Sequence, residues 1–212
     1  MRRIALTVVV ATAAVVLAAC SSSAKTGTGT PTATPTATGQ QTSAAPPTPI
    51  PSATGAPVSL DPCTLVTSTE ASAIAHASFG PGKEEPISAA SKQCVYGAQT
   101  TNVFEVTVAQ AASPAEAQAE FTAAQAQAEA DLKKQAPPGV NVNLDTSNAS
   151  GIGDKAATAY GTASIQGQTI GFSGIYVVSG ATFFAITDLT VGQKPASTAD
   201  MKAQAQTVLG RI

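Results

Sequence analysis

Ile170-Gly171-Phe172-Ser173-Gly174-Ile175-Tyr176-Val177-Val178, then Ser179-Gly180-Ala181, then Thr182-Phe183-Phe184-Ala185-Ile186, is the stretch whose reading decides the fold. β-Branched and aromatic residues crowd two runs of strand length, and Ser179-Gly180 supplies the turn chemistry between them. Among the β-rich pieces between residues 155 and 187 these runs hold most of the large apolar side chains, so they are expected to form the middle of an antiparallel sheet.

Working outward, residues 155–160 and 163–166 are two further β-rich pieces, with Gln166-Gly167 as a second hairpin turn. Gly151-Ile152-Gly153-Asp154 makes a tight turn, and Val140, Val142 and Leu144 alternate with Asn141 and Asn143 as a strand ahead of it. Residues 93–97 and 103–109 give two more strands. In the second, Phe104, Val106 and Val108 alternate with Glu105 and Thr107, the pattern of a strand with one buried and one wet face. Residues 81–91, with Lys83, Glu84, Glu85 and Pro86, read as an exposed loop.

Three helices punctuate these strands. Thr67-x-x-Glu70 is a capping box, and the helix it opens is expected to run to about Phe79-Gly80, carrying Ala71, Ile74, Ala75 and Ser78 at helical spacing. Ser113-Pro114-x-Glu116 combines an N-cap, a proline at the first helical position and an acid at the third. That helix is expected to reach about Gln135, before Pro137-Pro138-Gly139, with the narrow stripe Ala117, Phe121, Ala124, Ala128 and Leu132 against a sheet. A last helix follows Pro195, capped by Ser197 and Asp200, with Met201, Ala205, Val208, Leu209 and Ile212 on one face. Strands in hairpin runs with helices between the runs define an α+β class: an antiparallel β-sheet with the long helix and the C-terminal helix packed on one face. The repeated order of strands then helix hints at a distant internal duplication.

The N-terminus sets the compartment. Arg2 and Arg3 precede an apolar run from Ile4 to Ala19, a basic n-region followed by an h-region. An uncleaved span would need about 20 apolar residues, whereas this run is shorter and meets Ser21-Ser22-Ser23. Ordinary secretion after Ala19, leaving Cys20 a free thiol, is the other alternative. Leu17-Ala18-Ala19-Cys20 resembles the lipobox of bacterial lipoproteins, in which the cysteine is lipidated and becomes the new N-terminus. That resemblance implies a diacylglyceryl group on Cys20, and two acyl chains hold a protein on a membrane where one does so only marginally. Residues 1–19 are then a signal peptide. Residues 20–57, rich in Ser, Thr, Pro, Ala and Gly with Lys25 the single charge, are expected to be a disordered tether, a composition that also suits an O-glycosylated stalk. Residues 58–212 are long enough for one folded domain.

The chain has 11 Lys plus Arg against 13 Asp plus Glu, and loss of Arg2 and Arg3 leaves 9 against the same 13. This weakly acidic balance, without a basic cluster, argues against nucleic-acid binding. With Cys20 assigned to lipid, Cys63 and Cys94 remain as an even pair in an oxidising compartment, and a disulfide is the expectation. A two-cysteine metal site would lack further ligands, because His76 is the only histidine and no Cys-x-x-Cys occurs.

Asp61-Pro62-Cys63-x-Leu65-x-Thr67-x-x-Glu70-Ala71, then Cys94-x-Tyr96 and Gly151-x-Gly153-Asp154-x-Ala156, form a recognisable set. The set resembles a family of actinobacterial cell-envelope lipoproteins catalogued as a domain of unknown function. The resemblance implies an extracytoplasmic α+β domain with a Cys63–Cys94 bridge, and it carries over no catalytic residue. The order of elements also looks like the extracytoplasmic sensor domains of some mycobacterial kinases.

No catalytic, cofactor or metal-ligand constellation stands out. Gly171-Phe172-Ser173-Gly174 is one residue short of a nucleophile elbow, and Gly151-x-Gly153-x-x-Ala156 leads into a β-prone run instead of the helix that dinucleotide binding needs. Glu84 and Glu85 read as a solvated charge pair, Asn148-Ala149-Ser150 as a loop, and Phe104, Phe172, Tyr176, Phe183 and Phe184 as core. The expected role is therefore a monomeric, non-enzymatic envelope lipoprotein, attached to the membrane through Cys20, that binds a partner protein or a small apolar ligand. The alternative is an envelope hydrolase or cell-wall-modifying enzyme using carboxylates such as Asp154 and Asp188, which requires the two groups about 5 to 10 Å apart.

Overall fold

The structure is a computed structural model that describes residues 55–98, 100–135, 142–165 and 167–212. Seven strands, β1 (Lys83–Ser88), β2 (Ser91–Tyr96), β3 (Asn102–Gln110), β4 (Val142–Asn148), β5 (Lys155–Ile165), β6 (Gln168–Ser179) and β7 (Thr182–Val191), form one sheet in the order β1-β2-β3-β7-β6-β5-β4. Every neighbouring pair is antiparallel. Four helices accompany it: α1 (Pro62–Leu65), α2 (Ser68–Ile74), α3 (Pro114–Gln135) and α4 (Thr198–Leu209).

The α+β class, the antiparallel sheet and the disulfide are those the sequence predicts. Residues 170–186 do form the hairpin β6–β7, and β7 pairs on its other side with β3, which places both β6 and β7 inside the sheet.

The helices are distributed differently from the expected single covered face. Alternate residues of the central strands feed two separate cores. On one face Phe104, Val106, Ile175, Val177, Phe184 and Ile186 pack with Leu65 and Ala71 of the first two helices and with Met201, Ala205 and Val208 of α4. On the other, Ala109, Tyr176, Val178, Phe183 and Ala185 pack with Ala117 and Phe121 of α3, whose Phe121 ring lies 6.4 Å from that of Phe183. The long helix and the C-terminal helix thus lie on opposite faces. Ser113 caps α3 as predicted, its Oγ accepting from Glu116 N at 3.2 Å. The side chains of Ala124, Ala128 and Leu132, the tether and Cys20 lie outside the described residues.

Four local readings are corrected. Residues 83–88 are the edge strand β1, not a loop. Lys83 and Glu85 pair at 2.9 Å, Lys92 and Glu84 at 3.3 Å, and the register shifts between Pro86 and Ser88. Charge, proline and a bulge are the devices that keep an edge from pairing with another chain, and they are also what makes an edge strand look like a loop in sequence. The first helical region is two short helices, and α2 ends at Ile74 with Ala75 as its C-cap, so His76, at φ 50°, lies just beyond it. Residues 155–165 form one continuous strand through Gly161, which sits opposite Phe172. At the C-terminus Ile212 is 40% exposed and does not join the buried face of α4.

The N-terminal corner is tied to the sheet by several bonds of different kinds. Cys63 of α1 is bonded to Cys94 of β2, a link spanning 31 residues that stabilises by roughly 3–4 kcal/mol in the chain-entropy account. Gly82 passes so close that an added Cβ would lie 2.4 Å from Cys94 Sγ, so only glycine lets the chain enter β1 beside the cystine. The Tyr96 hydroxyl donates to Val66 O, and the rings of Phe79, Tyr96 and Phe104 meet at centroid distances of 6.1 to 6.4 Å.

Thr67 and Glu70 complete the expected capping box, and Arg211 then closes the corner from the far end of the chain. It donates to Leu65 O at 2.6 Å and pairs with Glu70 through Nη2–Oε1 at 2.6 Å. The hydrogen bond from Arg211 leads the effects that hold the Glu70 carboxyl down at about 2 from its ordinary 4.5. A depressed folded value makes this contribution present above pH 4.5 and lost as pH falls through 2. With Glu70 28% and Arg211 33% exposed, solvent screening limits it to about 1 kcal/mol. Arg211→Gln should therefore lower the melting temperature slightly at pH 7 and flatten the acid limb between pH 4.5 and 2. An unchanged acid limb in thermal melts would contradict the assignment.

Candidate functional site

A row of side chains crosses the face that carries α4, one residue from each strand except β1: Asp145, Tyr160, Ser173, Asp188, Phe104 and Tyr96, each directly opposite the next. Its two middle members are polar and fully buried. Asp188 Oδ2 accepts from Ala196 N at 2.8 Å, just before α4 begins, whereas Asp188 Oδ1 and Ser173 Oγ have no protein partner. Asn102, diagonal to Asp188 on β3, adds a third buried oxygen without a partner. Buried polar groups in folded proteins are nearly always satisfied, so three open oxygens in one patch mark it out. Desolvation pushes the Asp188 carboxyl up from 3.8 to about 6, opposed by the bond from Ala196 and by His76.

The loop from β7 to α4 folds back over this face and is held by several hydrogen bonds. Gly192 N donates to Thr169 O at 2.7 Å, and Thr190 Oγ1 donates to Gln193 O at 2.9 Å. Pro195 rests on Gly171, where an added Cβ would lie 2.5 Å from Pro195 Cδ, so a glycine at this strand position lets the loop close. Between the loop and β5 lies an open groove of about 300 Å³, lined by Tyr160, Thr162, Thr169, Gln193, Lys194 and Pro195. Tyr160 belongs both to the groove and to the polar row, so the groove's inner wall backs directly onto Ser173 and Asp188.

The residues singled out in the sequence are scattered by the fold. Cys63 and Cys94 are bonded as expected. Asp154 is a structural tie: its Oδ2 accepts from Gly180 N at 2.7 Å, joining the turn before β5 to the β6–β7 hairpin. Asp154 N bonds to Val178 O while Asp188 lies opposite Ser173, roughly 17 Å away along β6 at ~3.4 Å per residue. That separation exceeds the range a pair of glycosidase carboxylates requires. His76 is exposed at the end of α2. Glu84 and Glu85 are engaged in ion pairs, Gly151 and Gly153 are turn residues with positive φ, and Phe104, Phe183 and Phe184 are core. Asn148 is an exposed strand residue beside buried Ala149. Among the described residues no three His, Cys, Asp or Glu side chains gather as metal ligands, and no helix is long and apolar enough to cross a membrane.

Sequence reading weighed Ser173 only as part of an incomplete nucleophile elbow and missed both its burial opposite Asp188 and the groove. The available signal for Ser173 was its inward parity with Ile175 and Val177, where a third apolar residue would be the norm.

No family model matches the chain, and no curated protein matches it. Among solved structures, the extracellular domain of PknH from Mycobacterium tuberculosis is similar at a TM-score of 0.48 with 13% identity, covering 73% of this chain and 96% of that one.

The buried carboxylate carries a measurable penalty. Its folded value lies above the ordinary one, so folding stability falls as pH rises from about 4 to about 6 and stays reduced above that, by on the order of 2–3 kcal/mol. Asp188→Asn keeps an acceptor for Ala196 N and adds a donor facing Ser173. It should raise the melting temperature at pH 7.5 by roughly 3–8 °C and remove the decline between pH 4 and 6. A lower melting temperature with the pH dependence intact would show that Asp188 is not an uncompensated buried acid.

Proposed function

We propose that this chain is a membrane-anchored lipoprotein of the actinobacterial envelope, acylated at Cys20, whose extracytoplasmic domain acts by binding a partner protein or a small ligand without chemistry of its own. The observation that carries the compartment is the Cys63–Cys94 cystine, because such bridges persist in oxidising surroundings and are rare in a reducing cytosol. The lipobox resemblance at residues 17–20 and the Ser/Thr/Pro-rich segment after it support an anchor followed by a spacer. A spacer of that kind holds a binding domain near a surface and raises its local concentration there.

The wide separation of Asp154 and Asp188 weighs against the carboxylate hydrolase, and the engagement of Asp154 in a turn weighs against it again. The groove beside Tyr160 is lined by hydroxyls and an amine as well as by rings, which favours a polar ligand over the apolar one suggested by the sequence.

Fractionation with intact-mass analysis tests this reading. The protein extracted from membranes is expected to begin at Cys20, to carry acyl chains there, and to gain the two hydrogens of one cystine on reduction. Cys20→Ala is expected to move it into the soluble fraction. Unchanged partitioning, or a mature chain starting elsewhere, would overturn the anchor.

A further inference from the structure

We propose that the groove between β5 and the 192–195 loop is a saccharide-binding subsite for a sugar bearing a carboxylate; this rests on the reading of the protein as an envelope binding domain. A pyranose has apolar C–H faces and a hydroxyl rim, and the groove offers a complement to both. The half-buried Tyr160 ring and the buried Pro195 ring are its apolar walls, while Thr162, Thr169 and Gln193 are exposed donors and acceptors around them. At about 300 Å³ the groove lies at the small end of ligand sites, the size of one sugar residue and too small for an acyl chain or a folded segment.

One further observation narrows the ligand. Lys194 is exposed on the groove wall and, like Lys155 and Lys202 elsewhere, makes no ion pair among the described residues. A cation at the edge of the groove suits one negative substituent.

The walls are also set in advance, since β5 and β6 share eleven registered pairs and the loop is pinned to Thr169, Thr190 and Asp188.

The test is an amide NMR titration of the full chain in detergent with N-acetylmuramic acid and, in parallel, with N-acetylglucosamine, its analogue without the carboxylate. With the acidic sugar, saturable shifts are expected at residues 160, 162, 169, 193 and 194, with an affinity about fivefold better than for the neutral sugar. Lys194→Gln should remove that fivefold preference and leave the neutral sugar's affinity unchanged. Thr162→Val should weaken both. Absence of saturable shifts at these amides, shifts confined to other regions, or an acidic-sugar preference that survives Lys194→Gln would each overturn the proposal. The fractionation of Cys20→Ala is independent of this outcome, so an anchored protein with a silent groove would lose the subsite alone.

Discussion

The pairing of β3 with β7 is the constraint on which the rest of the structure depends. Nine registered residue pairs join the meander β1–β3 to the meander β4–β7, and among the described residues no other ladder connects the two. The seam also sets both cores, because Val106 with Ile186 points to one face and Ala109 with Phe183 to the other. With apolar residues on both sides of the same strands, each face needs a cover. The capped elements α1, α2 and α4 serve one and α3 the other.

The same seam fixes the polar row. Asp188 is buried because β7 lies between β3 and β6, with Phe104 on one side and Ser173 on the other. A carboxylate there works against stability, and the Cys63–Cys94 cystine contributes an effect of similar size in the other direction.

What the sequence makes legible follows the range of the interactions. The β6–β7 hairpin, the caps of α2, α3 and α4, and the Asp154 turn are local, and each was readable from neighbouring residues. β1 was not, because an edge strand is built from the charges and proline that also build loops. The two-sided cover was present in the residues as Ile175 and Val177 at one parity with Tyr176 and Val178 at the other, a mark of strands buried on both faces. The pairing of Ser173 with Asp188 depends on strand register, and the groove draws on β5, β6 and a loop far apart in the chain. Neither leaves a motif.

Native-state hydrogen exchange tests the seam most directly. The amides of residues 104–108 and 184–188 are predicted to exchange only through global unfolding, with a common free energy equal to the equilibrium stability, while β1 and β4 at the edges open at lower free energies. Exchange at the seam as fast as at those edges would contradict a sheet in which β3 and β7 hold the two halves together.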